Sequence, residues 1–194
     1  GYAPAPLHTD TPSRDLIAVG AHQKNTVAIA HRGGVTLSQH LGDMDSAEVQ
    51  NLFERTLEDL ESLSGAKAEV VAHDFHPDYA STRWAQRSGL KTIAVQHHYA
   101  HALACMTEHC LDTPVLAVVW DGTGYGTDGT IWGGEFLRAD YRGFTRLAHL
   151  QPVALPGGDA AMREPWRNLY AQLVAAMGWP AVADRYPTLE LHAR

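Results

Sequence analysis

Val95-Gln96-His97-His98-Tyr99-Ala100-His101 is the point at which a strand pattern gives way to a helix pattern. Before it, Thr92 to Val95 is short and largely β-branched, as a strand is. After it, residues 97–110 are rich in Ala, His and Leu and suit a helix. A strand running straight into a helix belongs to an α/β fold. Ligands in such folds bind at the carboxyl ends of strands, which is where these histidines fall. His97 and His101 stand at i,i+4, the spacing by which one helix face offers two ligands to one metal. His98 with His101, at i,i+3, is the alternative pair. No Glu follows His97, so the HExxH zinc-protease pattern is absent.

Working back from this junction, apolar runs at Leu16–Gly20, Val27–Ala30 and Val35–His40 read as three strands, with Arg32-Gly33-Gly34 as a hairpin turn. A helix is expected from Asp45, taken as N-cap with Glu48 in a capping box, to Gly65, with Val49, Phe53, Leu57, Leu60 and Leu63 as its apolar stripe. A strand at Glu69–Ala72 and a helix at Tyr79–Arg87 follow. The order β-β-β-α-β-α-β-α is that of one RNase H-like lobe of the actin and sugar-kinase architecture. It is assigned to residues 15–112, after a proline-bearing linker at 1–14.

Beyond residue 112 the pattern restarts, and 113–194 reads as the beginning of a second, similar lobe with a helical segment. Val115–Trp120 is an apolar strand closed by Asp121. Then comes Gly122-Thr123-Gly124-Tyr125-Gly126-Thr127-Asp128-Gly129, read as a glycine-rich turn whose N–H groups could approach an anion. Strands are expected at Thr130–Leu137 and Thr145–Leu150, and one helix at 159–177 stopped by Gly178 and Pro180. Asp121, a carboxylate at a strand end, would complete three metal ligands with His97 and His101 and leave coordination open. Further candidate ligand contacts are Lys24 and Asn25 in the turn Gly20–Thr26, and Gly157, Gly158, Asp159 and Arg163, where a Gly-Gly turn opens a helix.

Composition removes several classes. The net charge is 15 − 22 = −7, and no Lys/Arg block suggests a nucleic-acid groove. No run approaches the roughly 20 apolar residues that span a bilayer, and the first residues lack the apolar stretch of a signal peptide. Cys105 and Cys110 fit neither a CxxC motif nor a disulfide framework. A cytoplasmic protein without nucleic-acid or membrane partners is the expectation.

Leu16–Thr26, Ser38–Asp43, Asp74–Thr82, Val95–His101, Asp121–Phe136 and Leu155–Trp166 together, and in this order, resemble the HypF family of hydrogenase maturation proteins. The resemblance implies a domain similar to the tRNA threonylcarbamoyl-transferases. Such a domain receives a carbamoyl-adenylate made from carbamoyl phosphate and ATP, and passes the carbamoyl group to the C-terminal cysteine of a HypE-type partner for cyanide-ligand synthesis. It implies a divalent iron or zinc ion at His97, His101 and Asp121, with Mg accompanying the nucleotide as a further expectation. His98 and Asp128 are then the residues expected to act on substrate. Two alternatives share the fold: a small-molecule kinase, against which the histidine pair argues, and a non-catalytic nucleotide- or partner-binding module.

Overall fold

β2 (Leu16–Ala18) lies between β3 (Ala28–His31), antiparallel to it, and β5 (Val70–Asp74), parallel to it. The register sets Ile17 beside Ile29 and Val71, a row of β-branched side chains on one face. These positions come from a computed structural model that describes residues 6–8, 14–158 and 160–188. β4 (Gly34–Leu37) returns from β3 through Arg32 and Gly33, with φ of 49° and 76°. Positive φ at both turn residues is what a twist-matched two-residue hairpin needs. β6 (Lys91–Val95) runs parallel to β5, and β1 (Leu7–His8) pairs with the far edge of β4. The sheet order is β1-β4-β3-β2-β5-β6. Apart from β1, which falls within the span expected as linker, this is the RNase H-like lobe of the actin and sugar-kinase fold.

The Ile17 row is covered by α1 (Ala47–Ser64) and α2 (Ala80–Arg87). Phe53, Leu57, Leu60, Ala80 and Ala85 pack with Val19, Val27 and Val71 in one buried cluster. α1 is capped by Ser46, whose Oγ accepts from Val49 N–H at 3.3 Å, and not by Asp45. Asp45 instead accepts from His22 Nε2 at 2.9 Å, and Glu48 stands one position too early for a capping box. Leu63 is 76% exposed, so the last turn of α1 leaves the packed face. Gly65, at φ 71°, ends the helix as expected.

α3 (His97–Glu108) leads to a second sheet of order β7-β8-β9: β7 (Val115–Tyr125), β8 (Ile131–Asp140) and β9 (Gly143–His149). Both sheets, apart from the last residue of β9, fall in one compact unit, Gly1–Ala148. The other unit, His149–Arg194, contains α4 (Ala160–Arg163), α5 (Trp166–Met177) and α6 (Trp179–Arg185). The single helix expected at 159–177 is interrupted at Pro165, whose ring and missing N–H break a helix interior. Gly178 ends α5 at Met177, as expected, and the same glycine with Pro180 then opens α6, where proline is well placed in a first turn. No helix among the described residues is long and apolar enough to cross a membrane.

Candidate metal centre

β5 and β6 end level, with Asp74 opposite Val95, and α3 begins two residues later. Gln96 sets that start. Its Oε1 accepts from Tyr99 N–H at 2.9 Å, while its Nε2 donates to Tyr125 O on β7 at 3.2 Å and approaches His98 Nδ1 at 3.3 Å. The first turn of α3 is thereby tied to the end of β7. Ala18 and Ala72, adjacent in register on β2 and β5, leave room on this face. The resulting cavity of about 290 Å³ is lined by Ala18, Ala72, Asp74, His97, Ala100 and His101 among others.

His97 Nδ1–H donates to Asp74 Oδ2 at 2.7 Å, which turns Nε2 away from the first sheet. Nε2 lies 2.9 Å from Asp121 Oδ2, and His101 Nε2 lies 3.8 Å from the same oxygen. The one ligand atom offered by each of these residues lies within 4.8 Å of the others. Asp121 reaches this position because β7 carries an irregularity: Trp120 faces Gly134 and Gly124 faces Trp132, so extra residues are accommodated between them. Bulges of this kind re-aim side chains.

The donor set fits a cation. Asp121 Oδ2 is buried and has no hydrogen-bond partner among the described residues, although His97 Nε2 stands 2.9 Å away. With Nδ1 committed to Asp74, a neutral His97 presents a lone pair to that oxygen, so two lone pairs converge. Without a cation the conflict is met by a proton. The His97 pKa is raised to about 9, first by Asp121, then by Asp74, with burial opposing. Asp121 is correspondingly held at about 2, chiefly by His97. A histidine oriented by a carboxylate on its other nitrogen is the usual supported metal ligand.

The remaining candidates lie elsewhere. His98 is completely buried; its Nε2–H donates to Gly133 O at 2.9 Å, and burial lowers its pKa. It pins α3 to β8 and has no face open to substrate, contrary to the expected role. Asp128 holds a turn: its carboxylate accepts from Thr130 N–H, Thr130 Oγ1 and Trp132 Nε1, and pairs with Arg146. Gly122, Thr123 and Gly124, expected in a glycine-rich turn, lie within β7 at its irregularity. A Cβ on Gly124 would stand 2.6 Å from His98 Cε1, so this glycine serves close approach of α3. Lys24 is exposed, at φ 48°, with its N–H on Asp43 Oδ1. Asn25 is buried, and its Nδ2 donates to Val19 O and Ala21 O. Gly157 and Gly158 form a turn before the four-residue α4, which ends with Arg163. Asp159 lies outside the described residues.

A family model described as the HypF Kae1-like domain matches residues 11–108, and one described as the second subdomain of the carbamoyltransferase Kae1-like domain matches 117–193. The chain belongs to the HypF family. It is 44% identical over 188 residues to a carbamoyltransferase HypF of a Synechocystis species, a match covering 96% of this chain and 24% of that protein. A crystal structure of full-length HypF in a phosphate- and nucleotide-bound form superposes with a TM-score of 0.83 at 40% identity, covering 88% of this chain and 27% of that one. The HypF of T. kodakarensis gives 0.81 at 34% identity, covering 90% and 24%. The chain thus spans about a quarter of the length of the HypF relatives it matches.

Asp74 was not among the site residues named from this HypF-like sequence. Its signal was present: it ends an apolar strand just before His76-Pro77, as Asp121 ends another. Which of the two would be a ligand and which an orienting base depends on the pairing of β5 with β6, which spacing along the chain does not reveal.

Proposed function

We propose that this chain carries the acceptor-side site of a HypF carbamoyltransferase, with His97, His101 and Asp121 holding one divalent iron or zinc ion. Residues 15–112 then form the lobe supplying both histidines, and 113–194 begin the lobe supplying the carboxylate. The observation that carries the reading is the convergence of His97 Nε2, already oriented by Asp74, on the buried partnerless oxygen of Asp121. The substrate is a carbamoyl-adenylate derived from ATP and carbamoyl phosphate, in keeping with the nucleotide and phosphate of the full-length HypF relative. The acceptor is the cysteine thiolate of a HypE-type partner in the cytoplasm. Such a partner supplies its own nucleophile, so the exposed Cys105 and Cys110 need take no part.

When bound, the ion supplies Lewis acidity toward an oxygen of the substrate. The chain's own residues do the rest. Asp74 keeps the His97 proton on Nδ1 and Nε2 free to ligate. Gln96 and His98 hold α3 to the second sheet, fixing the distance between the histidines and Asp121. The small alanines leave space for a compact acyl group.

The test is metal content by plasma mass spectrometry on tag-free protein beside a His97→Ala/His101→Ala double variant. Near-stoichiometric iron or zinc in the parent, lost in the variant, is expected. Equal metal in both, or none in the parent, overturns the assignment.

A further inference from the structure

Asp74-Phe75-His76-Pro77-Asp78-Tyr79 is only half accounted for: Asp74 orients His97, but His76 has no part in the metal centre. We propose that His76 is a ligand-binding residue whose Nε2–H donates to a phosphate oxygen of the molecule brought to this centre. The inference rests on the reading of the site given above and adds to it the group that meets the ligand's anionic oxygens.

His76 N–H donates to Asp74 Oδ1 at 2.8 Å, so the residue hangs from the same carboxylate whose other oxygen holds His97. Its ring is fixed on two sides. Tyr79 stacks on it at 4.2 Å and 4°, and Tyr125 meets it edge-on at 5.2 Å. Tyr125 ends β7, the strand that carries Asp121. The loop after β5 and the strand across the centre therefore both contact this imidazole.

The tautomer follows from the hydrogen bonds. Nδ1 accepts from Asp78 N–H at 3.1 Å, which commits its lone pair and leaves the proton of the neutral ring on Nε2. Nothing among the described residues accepts from Nε2. A ring in this state presents a donor at Nε2. It is also preorganised, because its rotation is restricted before any ligand arrives.

On the substrate reading given above, a phosphate oxygen of the ligand is the acceptor for this donor. The cavity lining contains no Lys or Arg, while Asp74 and Asp121 both stand in or beside it. An anionic ligand can enter only if the cation and neutral donors offset those carboxylates. A hydrogen bond to a charged acceptor is strong enough to matter here.

The experiment uses the 194-residue chain loaded with zinc, with inorganic phosphate as probe. His76→Asn retains an acceptor for Asp78 N–H but has no donor where Nε2 stood. His76→Gln places an amide N–H near that point. Phosphate should bind about tenfold more weakly to the Asn variant, and with nearly parental affinity to the Gln variant. A purely structural role in the turn gives the opposite ranking. In the parent, imidazole nitrogen NMR should show His76 as the Nε2–H tautomer, with that signal moving as phosphate is added. Zinc is measured first. A parent that holds no zinc overturns the metal reading and this proposal together. A parent that holds zinc but binds no phosphate, or binds it as the Asn variant does, overturns only the role of His76.

Discussion

Against α1 the first sheet sets Ile17, Val19, Val27, Ile29 and Val71, and what meets them is Phe53, Leu57 and Leu60. Against the start of α3 the second sheet sets a carbonyl at Gly133, another at Asp140 and the rings of Trp132 and Phe144; what meets them is His98 and Tyr99, whose hydroxyl donates to Asp140 O. Deeper in that sheet Glu135, 2% exposed, is gripped by Arg146 through Nε at 2.6 Å and Nη2 at 3.0 Å, and Arg146 lies 4.0 Å from the centre of the Trp132 ring. The first interface is apolar and tolerates any filling of the right volume. The second is directional and fixes position. The candidate centre draws its histidines from α3 and Asp121 from the second sheet, so its geometry depends on the directional interface.

The largest effect should come from the apolar side. Phe53→Ala removes a buried ring that also meets Trp84 edge-on at 5.6 Å. A loss of about 3–5 kcal/mol is expected, read from urea unfolding. A loss below about 1 kcal/mol would mean that burial is not what holds the first sheet.

On the polar side, Arg146→Ala leaves the Glu135 carboxylate buried with, among the described residues, only Gly133 N–H to satisfy it. The cost should be about 3 kcal/mol, the low end for breaking such a pair, because Arg146 is 23% exposed. Replacing both groups, as Glu135→Leu with Arg146→Met, should cost less than removing Arg146 alone, since no buried charge is then stranded. If the double variant is the less stable, the network contributes net stability as well as position.

Gly124→Ala tests the close approach of α3. The new Cβ would crowd His98 Cε1 and Nδ1 and His97 Cβ, at 2.6, 2.7 and 2.9 Å. About 1–3 kcal/mol is expected, partly relieved by His98→Ala in a double-mutant cycle. Additive losses would show that the two residues do not press on each other. Metal uptake should fall with Gly124→Ala and stay unchanged in Phe53→Ala protein that remains folded, because only the former shifts His97 against Asp121.

The same contrast explains what could be read from the sequence. Periodicity shows apolar interfaces, so the strands at Leu16, Ala28 and Val70 and the stripe Phe53–Leu57–Leu60 were legible. The pair His97–His101 was legible too, because helix geometry alone puts i and i+4 on one face. Directional contacts leave no periodic trace. The glycines at 122 and 124 read as an anion loop, although β7 runs through them with an irregularity that aims Asp121. His98 looked like a residue for substrate because nothing local shows that a carbonyl 35 positions away waits for its Nε2–H. Ser46 displaced Asp45 as cap because Asp45 is engaged by His22, a contact across 23 residues.

The smallest effect concerns pH. Thr130 Oγ1, then the Thr130 N–H, Trp132 Nε1 and Arg146, hold the Asp128 carboxyl at about 2, below its ordinary 3.8. A folded value below the unfolded one stabilises the protein above 3.8, and that contribution fades as the pH falls from 3.8 through about 2. The side chain is 45% exposed, so solvent and salt screen most of the interaction. Asp128→Asn retains an acceptor for the turn and abolishes the titration. The difference in urea midpoint between parent and variant should therefore shrink across that window and flatten further in high salt. In Phe53→Ala the loss should be the same at every pH in it, because the apolar cluster around Phe53 contains no titratable side chain. A pH-dependent loss at Phe53, or a pH-independent one at Asp128, would mean that the two sheets are not held by the different forces assigned to them.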